Sequence, residues 1–248
     1  MGSQITPLRL AIFISGGGTT MESVLRACRE KRLKHVHPVL VIASRSGAGG
    51  IPKAKAAGMH PADVVVLRKK DFPGNGVPFG RAILGECEKR SVHAIWQCGW
   101  SVLTPPCVVR AYEGRIFNQH PGPLDAGRPD FGGHKMRGLA VHEAVLRFAR
   151  RVSRFRCTQA TVHRVTERYD EGRIVGVRCL PILPDDSAET LAARLLPLEH
   201  ELVIETIRDF ALWGGLQELR WKKPLIRPRE VSVLEAAKAA AIATYPHG

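Results

Sequence analysis

Leu8-Arg9-Leu10-Ala11-Ile12-Phe13-Ile14-Ser15 runs directly into Gly16-Gly17-Gly18-Thr19-Thr20, and the pattern then changes period. The first run is apolar almost throughout, as a strand covered on both faces reads. From Met21 to Arg32 the apolar residues Val24, Leu25 and Cys28 fall at helical spacing. Strand, glycine turn and helix form the opening unit of an α/β protein. The alternation continues along the chain. Residues 36–44, 64–67, 93–98 and 115–118 read as strands, and residues 51–57, 79–89 and 106–112 as helices. This rhythm predicts a mostly parallel sheet with helices on both faces. A long Gly/Pro-rich loop then reaches about Gly138, and residues 139–148 return to helical spacing. Residues 157–166 and 173–182 are strand-like runs joined by a short turn, so they predict an antiparallel hairpin. Residues 190–213 read as a long amphipathic helix introduced by Asp185-Asp186-Ser187. Residues 1–215 are expected to form one domain. Residues 216–248 make a basic, then Ala-rich tail, helical over 231–244, that docks on the body or on a partner.

The glycine loop lies where a strand becomes a helix. Glycines let the backbone approach an anion closely, and the free N–H groups of a helix start favour phosphate. A dinucleotide fingerprint needs a sixth-position Gly or Ala, which here is Met21, although Arg45 after the second strand suits a 2′-phosphate. A tight packing turn without ligand is the plainest alternative. The spacing favours a monophosphate site.

Asn118-Gln119-His120-Pro121-Gly122 ends another apolar run. Side chains two apart on a strand share a face, so Asn118 and His120 point the same way before Pro121 stops the strand. That face carries a neutral hydrogen-bond donor and a titratable imidazole. A carboxylate from Asp170, in the turn Tyr169-Asp170-Glu171-Gly172, is able to orient such an imidazole. These are the parts of an acyl-transfer site: an oxyanion donor, a histidine and an acid/base orienter. Taken alone, Asp170 reads more readily as a turn-former than as an orienter.

The 248 residues carry a formal charge of +14. Such an excess favours anionic partners, such as phosphorylated metabolites, a polyglutamylated cofactor or nucleic acid. Here it is spread out, densest at residues 147–156 and 220–229, with no aromatic-basic interleaving, so a solvated basic surface is preferred to a nucleic-acid site. No apolar run approaches bilayer length, and the polar residues 1–8 lack a signal-peptide pattern, so the expectation is a cytoplasmic protein without a membrane partner. Six scattered cysteines show neither a CxxC nor a Cys/His cluster; they read as buried thiols, and no metal site is expected.

Four segments, in order and on matching elements, carry a more specific likeness: FISGGGTTMESVL, CGWSVLTPPCVVRAYEGRIFNQHPGPL, VHRVTERYDEGRIV and DDSAETLAARLLPLEHELV. Over residues 8–215 the chain resembles the folate-dependent formyltransferases, most closely the branch that formylates glycinamide ribonucleotide in purine synthesis. The resemblance implies a Rossmann-like sheet with a C-terminal antiparallel hairpin, the formyltransferase fold. It also implies transfer of a formyl group from 10-formyltetrahydrofolate, as cosubstrate, to the amine of a phosphorylated small molecule, without metal. On that likeness Asn118, His120 and Asp170 are the catalytic trio. Gly16, Gly17, Gly18, Thr19 and Thr20 hold the substrate phosphate. The backbone of Trp100, Ser101, Val102 and Leu103 lines the folate pocket, with His163 beside it. Glu199 stands near the substrate. His163 in ATVHRV reads equally as a structural residue, and Glu199 as part of a solvated helix face. A monomer or a homodimer is compatible with all of this.

The chain departs from the family in two places. The glycine loop reads Gly17-Gly18-Thr19-Thr20 where Asn-Gly-Ser-Asn is usual, and the loop after His120 is altered and longer, with Arg128, His134 and Lys135 either contacting anions or lying exposed. These changes bear on the acceptor amine. An amino-sugar nucleotide is one alternative acceptor, and a tRNA-formylating enzyme carries a further C-terminal β-barrel for which the tail is too short. A 10-formyltetrahydrofolate hydrolase shares the trio but usually adds an N-terminal regulatory domain. Outside enzymes, a basic binding protein on the same scaffold is the remaining reading.

Overall fold

Buried on nearly every residue, the first apolar run forms strand β1 (Leu8–Ile14), as its pattern predicts. The computed structural model describes residues 6–247; residues 1–5 of the polar N-terminal run, on which the signal-peptide expectation partly rests, lie outside them. The chain forms two compact units. The first holds residues up to Asn118 together with Val203–Leu216, and the second holds Gln119–Leu202 together with Gln217 onward.

In the first unit β1 pairs in parallel with β2 (Val36–Ala43) on one side and β4 (Ala94–Gln97) on the other. Strand β3 (Val64–Val66) extends the β2 side, and β5 (Ile116–His120) pairs with β4. Pro38 in β2 has no N–H to give to the ladder, and the β1–β2 register slips there: Leu10 faces Pro38, but Ala11 faces Leu40. The helices between these strands are α1 (Thr19–Arg29), α2 (Gly50–Ala56), α3 (Val77–Lys89) and α4 (Pro106–Ala111). Trp96 stacks on Phe117 at 4.4 Å, and Phe210 meets both rings edge-on, closing the core of this unit.

The second unit begins inside β5, at Gln119 and His120. It contains α5 (Leu139–Arg151) and the antiparallel pair β6 (Cys157–Arg164) and β7 (Ile174–Pro181), the predicted hairpin. Hydrogen-bonded neighbours follow the order β3-β2-β1-β4-β5-β6-β7, with β5 common to both units. Helix α6 (Ala188–Trp213) starts in the second unit and ends in the first. Ser187 Oγ accepts from Thr190 N at 3.2 Å as its N-terminal cap, and Asp186 takes Leu183 N at 2.7 Å and Arg194 Nη1 at 2.6 Å. No helix among the described residues is long and apolar enough to cross a membrane.

The tail belongs to the second unit. Its helix α7 (Val231–Thr244) buries Leu234, Ala237 and Ala241 in one cluster with Val141, Val145 and Phe148 of α5. Phe131, Phe148 and Phe155 form a mutual aromatic triad in that cluster, with ring centroids 5.1–5.5 Å apart. The segment before α7 is tied to the long loop after His120. Asp125 accepts from Leu225 N at 2.8 Å, Arg128 donates to Trp221 O at 3.0 Å, and Trp221 Nε1 donates to Leu124 O at 2.9 Å. Arg128 is therefore a structural strut, paired with buried Asp125, whereas His134 and Lys135 are exposed. Of the six cysteines expected to be buried thiols, Cys87 and Cys98 are buried, Cys28 and Cys107 are half-buried, and Cys157 and Cys179 are exposed on the hairpin; burial pushes the thiols of Cys28, Cys87 and Cys98 up to about 12.

Candidate active site

In the first unit the glycine loop is fixed by close backbone approach. Gly18 adopts φ 68° at the cap of α1, and a Cβ there would stand 2.6 Å from Gly50 Cα. Gly50 N donates to Gly16 O at 3.0 Å, so the loop is sewn to the start of α2. Ser15 anchors it from beneath: its hydroxyl meets Ser44 Oγ at 2.6 Å and accepts from Ser101 N at 2.9 Å. No side chain caps α1, and the backbone beside it is open at Gly16 and Gly17, where a Cβ would meet nothing within 4 Å. That is the form of an anion cradle. Thr19 is exposed beside it, while the Thr20 side chain is buried.

Trp100-Ser101-Val102-Leu103 lies in the same unit. The Trp100 ring is buried against Phe13 and Phe79, Ser101 and Val102 are half-buried, and Leu103 is exposed.

The second unit carries the ionisable cluster. His120 closes β5 and is buried, and Pro121 ends the strand behind it. Its Nε2 meets Phe131 O at 3.1 Å, and its Nδ1 lies 3.6 Å from Asp170 Oδ2. His163, near the end of β6, repeats the arrangement: Nδ1 meets Arg164 O at 2.9 Å and Nε2 lies 3.5 Å from Asp170 Oδ1. Asp170 thus sits between two imidazoles, each held at its far nitrogen by a backbone carbonyl. A carbonyl accepts only from N–H, so a proton on each near nitrogen as well makes an imidazolium facing the carboxylate. Burial alone would raise the Asp170 carboxyl. The positive ring of His120 and the hydrogen bond from His163 outweigh it and hold the group well below the usual carboxylate range, helped by Gly133 N at 2.9 Å. Burial pushes His120 down from its ordinary value, against the upward pull of Asp170. The turn pays a conformational cost for this placement, since Asp170 holds φ 56°.

The trio expected from sequence is brought together only in part within this unit: His120 and Asp170 meet, and His163 joins them. Asn118 shares β5 with His120, two residues before it, and is half-buried. Glu199 does not join the cluster. Gln119 projects from the opposite side of β5 to His120, and Gln119 Nε2 lies 3.5 Å from Glu199 Oε2. Glu199 is not on a solvated helix face either; it is buried, and burial pushes its carboxyl up to about 7.

That shift has a stability consequence. As pH rises, the unfolded carboxyl ionises from its ordinary 4.5, while the folded one stays protonated to about 7. Stability is therefore full below the lower value and is lost as pH climbs through the window, by about 3 kcal/mol in all. Glu199→Gln removes the ionisation. Melting curves should show the variant several degrees above the parent at pH 8 and near it at pH 5; an equal offset at both would refute the assignment.

Three participants have no signal in the sequence. Phe131 and Gly133 act through backbone in a loop without periodicity. His142, in the first turn of α5, is buried with Nδ1 unpartnered, and burial, with repulsion from His120, pushes its imidazole down to about 4, so it is neutral.

A glycine-gated parallel sheet with a buried His–Asp–His array at the end of β5 defines an acyl-transfer class of α/β enzyme. Residues 8–207 match the family model described as formyl transferase, and the chain belongs to that family. It is 35% identical over 233 residues to the chloroplastic phosphoribosylglycinamide formyltransferase of Vigna unguiculata, covering 92% of this chain and 69% of that one. Among solved structures, glycinamide ribonucleotide transformylase 1 from Symbiobacterium toebii matches with a TM-score of 0.72 at 29% identity, over 84% of this chain and 90% of that one. The phosphoribosylglycinamide formyltransferase from Brucella melitensis matches with a TM-score of 0.70 at 34% identity, over 86% and 100%. The formyltransferase fold, with its hairpin at the C-terminal end of the sheet, is thus the fold of this chain.

Proposed function

We propose that the protein transfers a formyl group from 10-formyltetrahydrofolate to the amine of glycinamide ribonucleotide, with Asn118, His120 and Asp170 as its catalytic residues. The observation that supports this most strongly is the buried carboxylate of Asp170 facing His120 and His163. The amine attacks the formyl carbon, forming a C–N bond and a tetrahedral oxyanion. Asn118 donates its amide to that oxyanion, and His120 supplies positive charge. In the free enzyme Phe131 O occupies the Nε2–H of His120; the oxyanion takes over that N–H as it forms. Asp170 pulls the imidazole toward its charged form against burial, stabilises that charge as the oxyanion develops, and passes the amine proton toward N10 of the folate. Collapse of the oxyanion breaks the bond from the formyl carbon to N10, and the protonated nitrogen leaves as tetrahydrofolate.

In the same reading the N–H groups of Gly16, Gly17, Gly18, Thr19 and Thr20 hold the phosphate, and the main chain of Trp100–Leu103 borders the pterin with His163 beside it. Glu199, across β5, serves the phosphorylated substrate. A cytoplasmic setting belongs to the same proposal.

The test is to incubate the protein with 10-formyltetrahydrofolate, with and without glycinamide ribonucleotide, and follow folate absorbance. Turnover only with the nucleotide is the expected result. Turnover without any acceptor would make it a hydrolase, and turnover only with an amino-sugar nucleotide would move the acceptor; either outcome overturns the reading.

A further inference from the structure

Helix α7 lies beyond the residues matched by the family model, which end at 207, yet one of its side chains reaches the loop that holds His120 and Asp170. Lys238 Nζ donates to Asp130 O at 3.2 Å and to Gly132 O at 2.9 Å. Between those carbonyls, the carbonyl of Phe131 meets His120 Nε2. Immediately after them, Gly133 N donates to Asp170 Oδ2 at 2.9 Å. The Gly132–Gly133 peptide group therefore has an ammonium on its oxygen and the Asp170 carboxylate on its hydrogen. A trans peptide points those two atoms in opposite directions, so one rigid plane joins Lys238 to Asp170.

Two consequences follow from elementary electrostatics. A cation on the carbonyl oxygen polarises the peptide and strengthens its N–H as a donor to a carboxylate. The ammonium also draws two alternate carbonyls to one side, which leaves the Phe131 carbonyl turned the other way, toward His120. The rest of the loop is fixed around this arrangement: Asp130 accepts from Asp125 N at 2.7 Å and from Gly132 N at 2.8 Å, and the Phe131 ring sits in the aromatic triad. Lys238 is itself held, because Leu234, Ala237 and Ala241 bury the helix around it.

We infer that Lys238 is a positioning residue for the active site, so that the C-terminal helix is part of the catalytic apparatus and not an appendage. This rests on the proposed roles of His120 and Asp170. The charged and titratable groups around Asp170 are His120 on β5, His163 on β6, Asp130 in the loop and, behind His120, His142 on α5. None of them replaces Lys238 on the Gly132 carbonyl.

The test compares Lys238→Met, which keeps the aliphatic stem, with Lys238→Arg, which keeps the charge. For Lys238→Met, kcat should fall about 10–100-fold with KM for both substrates within about twofold. The acid limb of the kcat–pH profile should move to higher pH, because Asp170 loses a stabilised donor. Lys238→Arg should recover most of the rate. Amide hydrogen exchange at Gly133 should quicken about tenfold in Lys238→Met and stay near parental in Lys238→Arg. The inference is overturned if Lys238→Met keeps the parental rate and profile, or if both variants lose rate equally in step with melting temperature. Exchange at Gly133 does not depend on turnover. A parent chain inactive with glycinamide ribonucleotide would sink the proposed function and leave Lys238 to be judged on Gly133 alone, where unchanged exchange overturns it.

Discussion

Asp170→Asn is expected to lower kcat about a thousandfold, within the 10²–10⁴ range of positioned acid/base groups, while KM for the phosphorylated amine changes by less than about twofold. The side chain keeps its size, so packing is not the cause. What is lost is the negative charge between His120, at 3.6 Å, and His163, at 3.5 Å. Burial already pushes the His120 imidazole toward its neutral form, and Asp170 is the main opposing influence. His120 Nδ1 and Gly133 N already share Oδ2, so an amide that keeps its oxygen there turns an NH2 toward His163 Nε2, where the carboxylate presented an acceptor. The main support for positive charge on the His120 ring, which the proposed mechanism sets against the oxyanion, is then gone. The glycine loop proposed to hold the phosphate keeps its own anchors, the Ser15–Ser44 pair and Gly50 N on Gly16 O, neither of which the substitution removes. Steady-state kinetics with each substrate varied separately separates the two effects. Near-normal kcat in the variant would remove Asp170 from the mechanism.

How much of this was legible in the sequence depends on how local the signal is. Strand β1, the glycine turn and α1 are written in neighbouring residues; β1 stands within a residue of its predicted bounds and α1 within two or three. Asn118 and His120 are two apart on a strand, and a period of two suffices to put them on one face. Helix α7 was equally plain, because Ala-rich composition favours helix whatever it packs on. Its docking direction was not, since small side chains on every side leave no stripe to follow. Lys238 contacts carbonyls more than 100 residues earlier, and no spacing rule reaches that far. The loop after His120 looked like a substrate-facing insertion from its length. Much of it instead ties down the tail, through Asp125, Arg128 and the carbonyl of Leu124. Glu199 shows the opposite error. Its helix reads as amphipathic, but burial against Gln119 depends on how the helix is set on β5, which periodicity alone does not give.

Gly172→Ala should be the most damaging single methyl in the site. A Cβ at Gly172 would fall on the carbonyl oxygen of Arg164 and stand 2.6 Å from its carbon. Both partners are backbone, so no side-chain rotation relieves the clash. The strands are also locked together at that point, by Arg164 N donating to Arg173 O at 2.9 Å, next to the register shift between Val162 and His163. Relief therefore requires the hairpin to open where the Asp170 turn begins. The carbonyl that must move is the one that accepts from His163 Nδ1 and so aims the His163 ring at Asp170. The same methyl attacks the fold and the electrostatics of the site together. A loss of about 3 kcal/mol or more is expected, read as a fall of about 6–12 °C in melting temperature, with kcat at least about tenfold lower in the folded fraction. Gly127→Ala is the control. Gly127 lies in the loop after His120 with φ 79° and nothing within 4 Å of an added Cβ, so it bears only the left-handed backbone penalty of about 1 kcal/mol. If the two variants melt alike, the close approach of Gly172 to Arg164 does not hold the Asp170 turn in place.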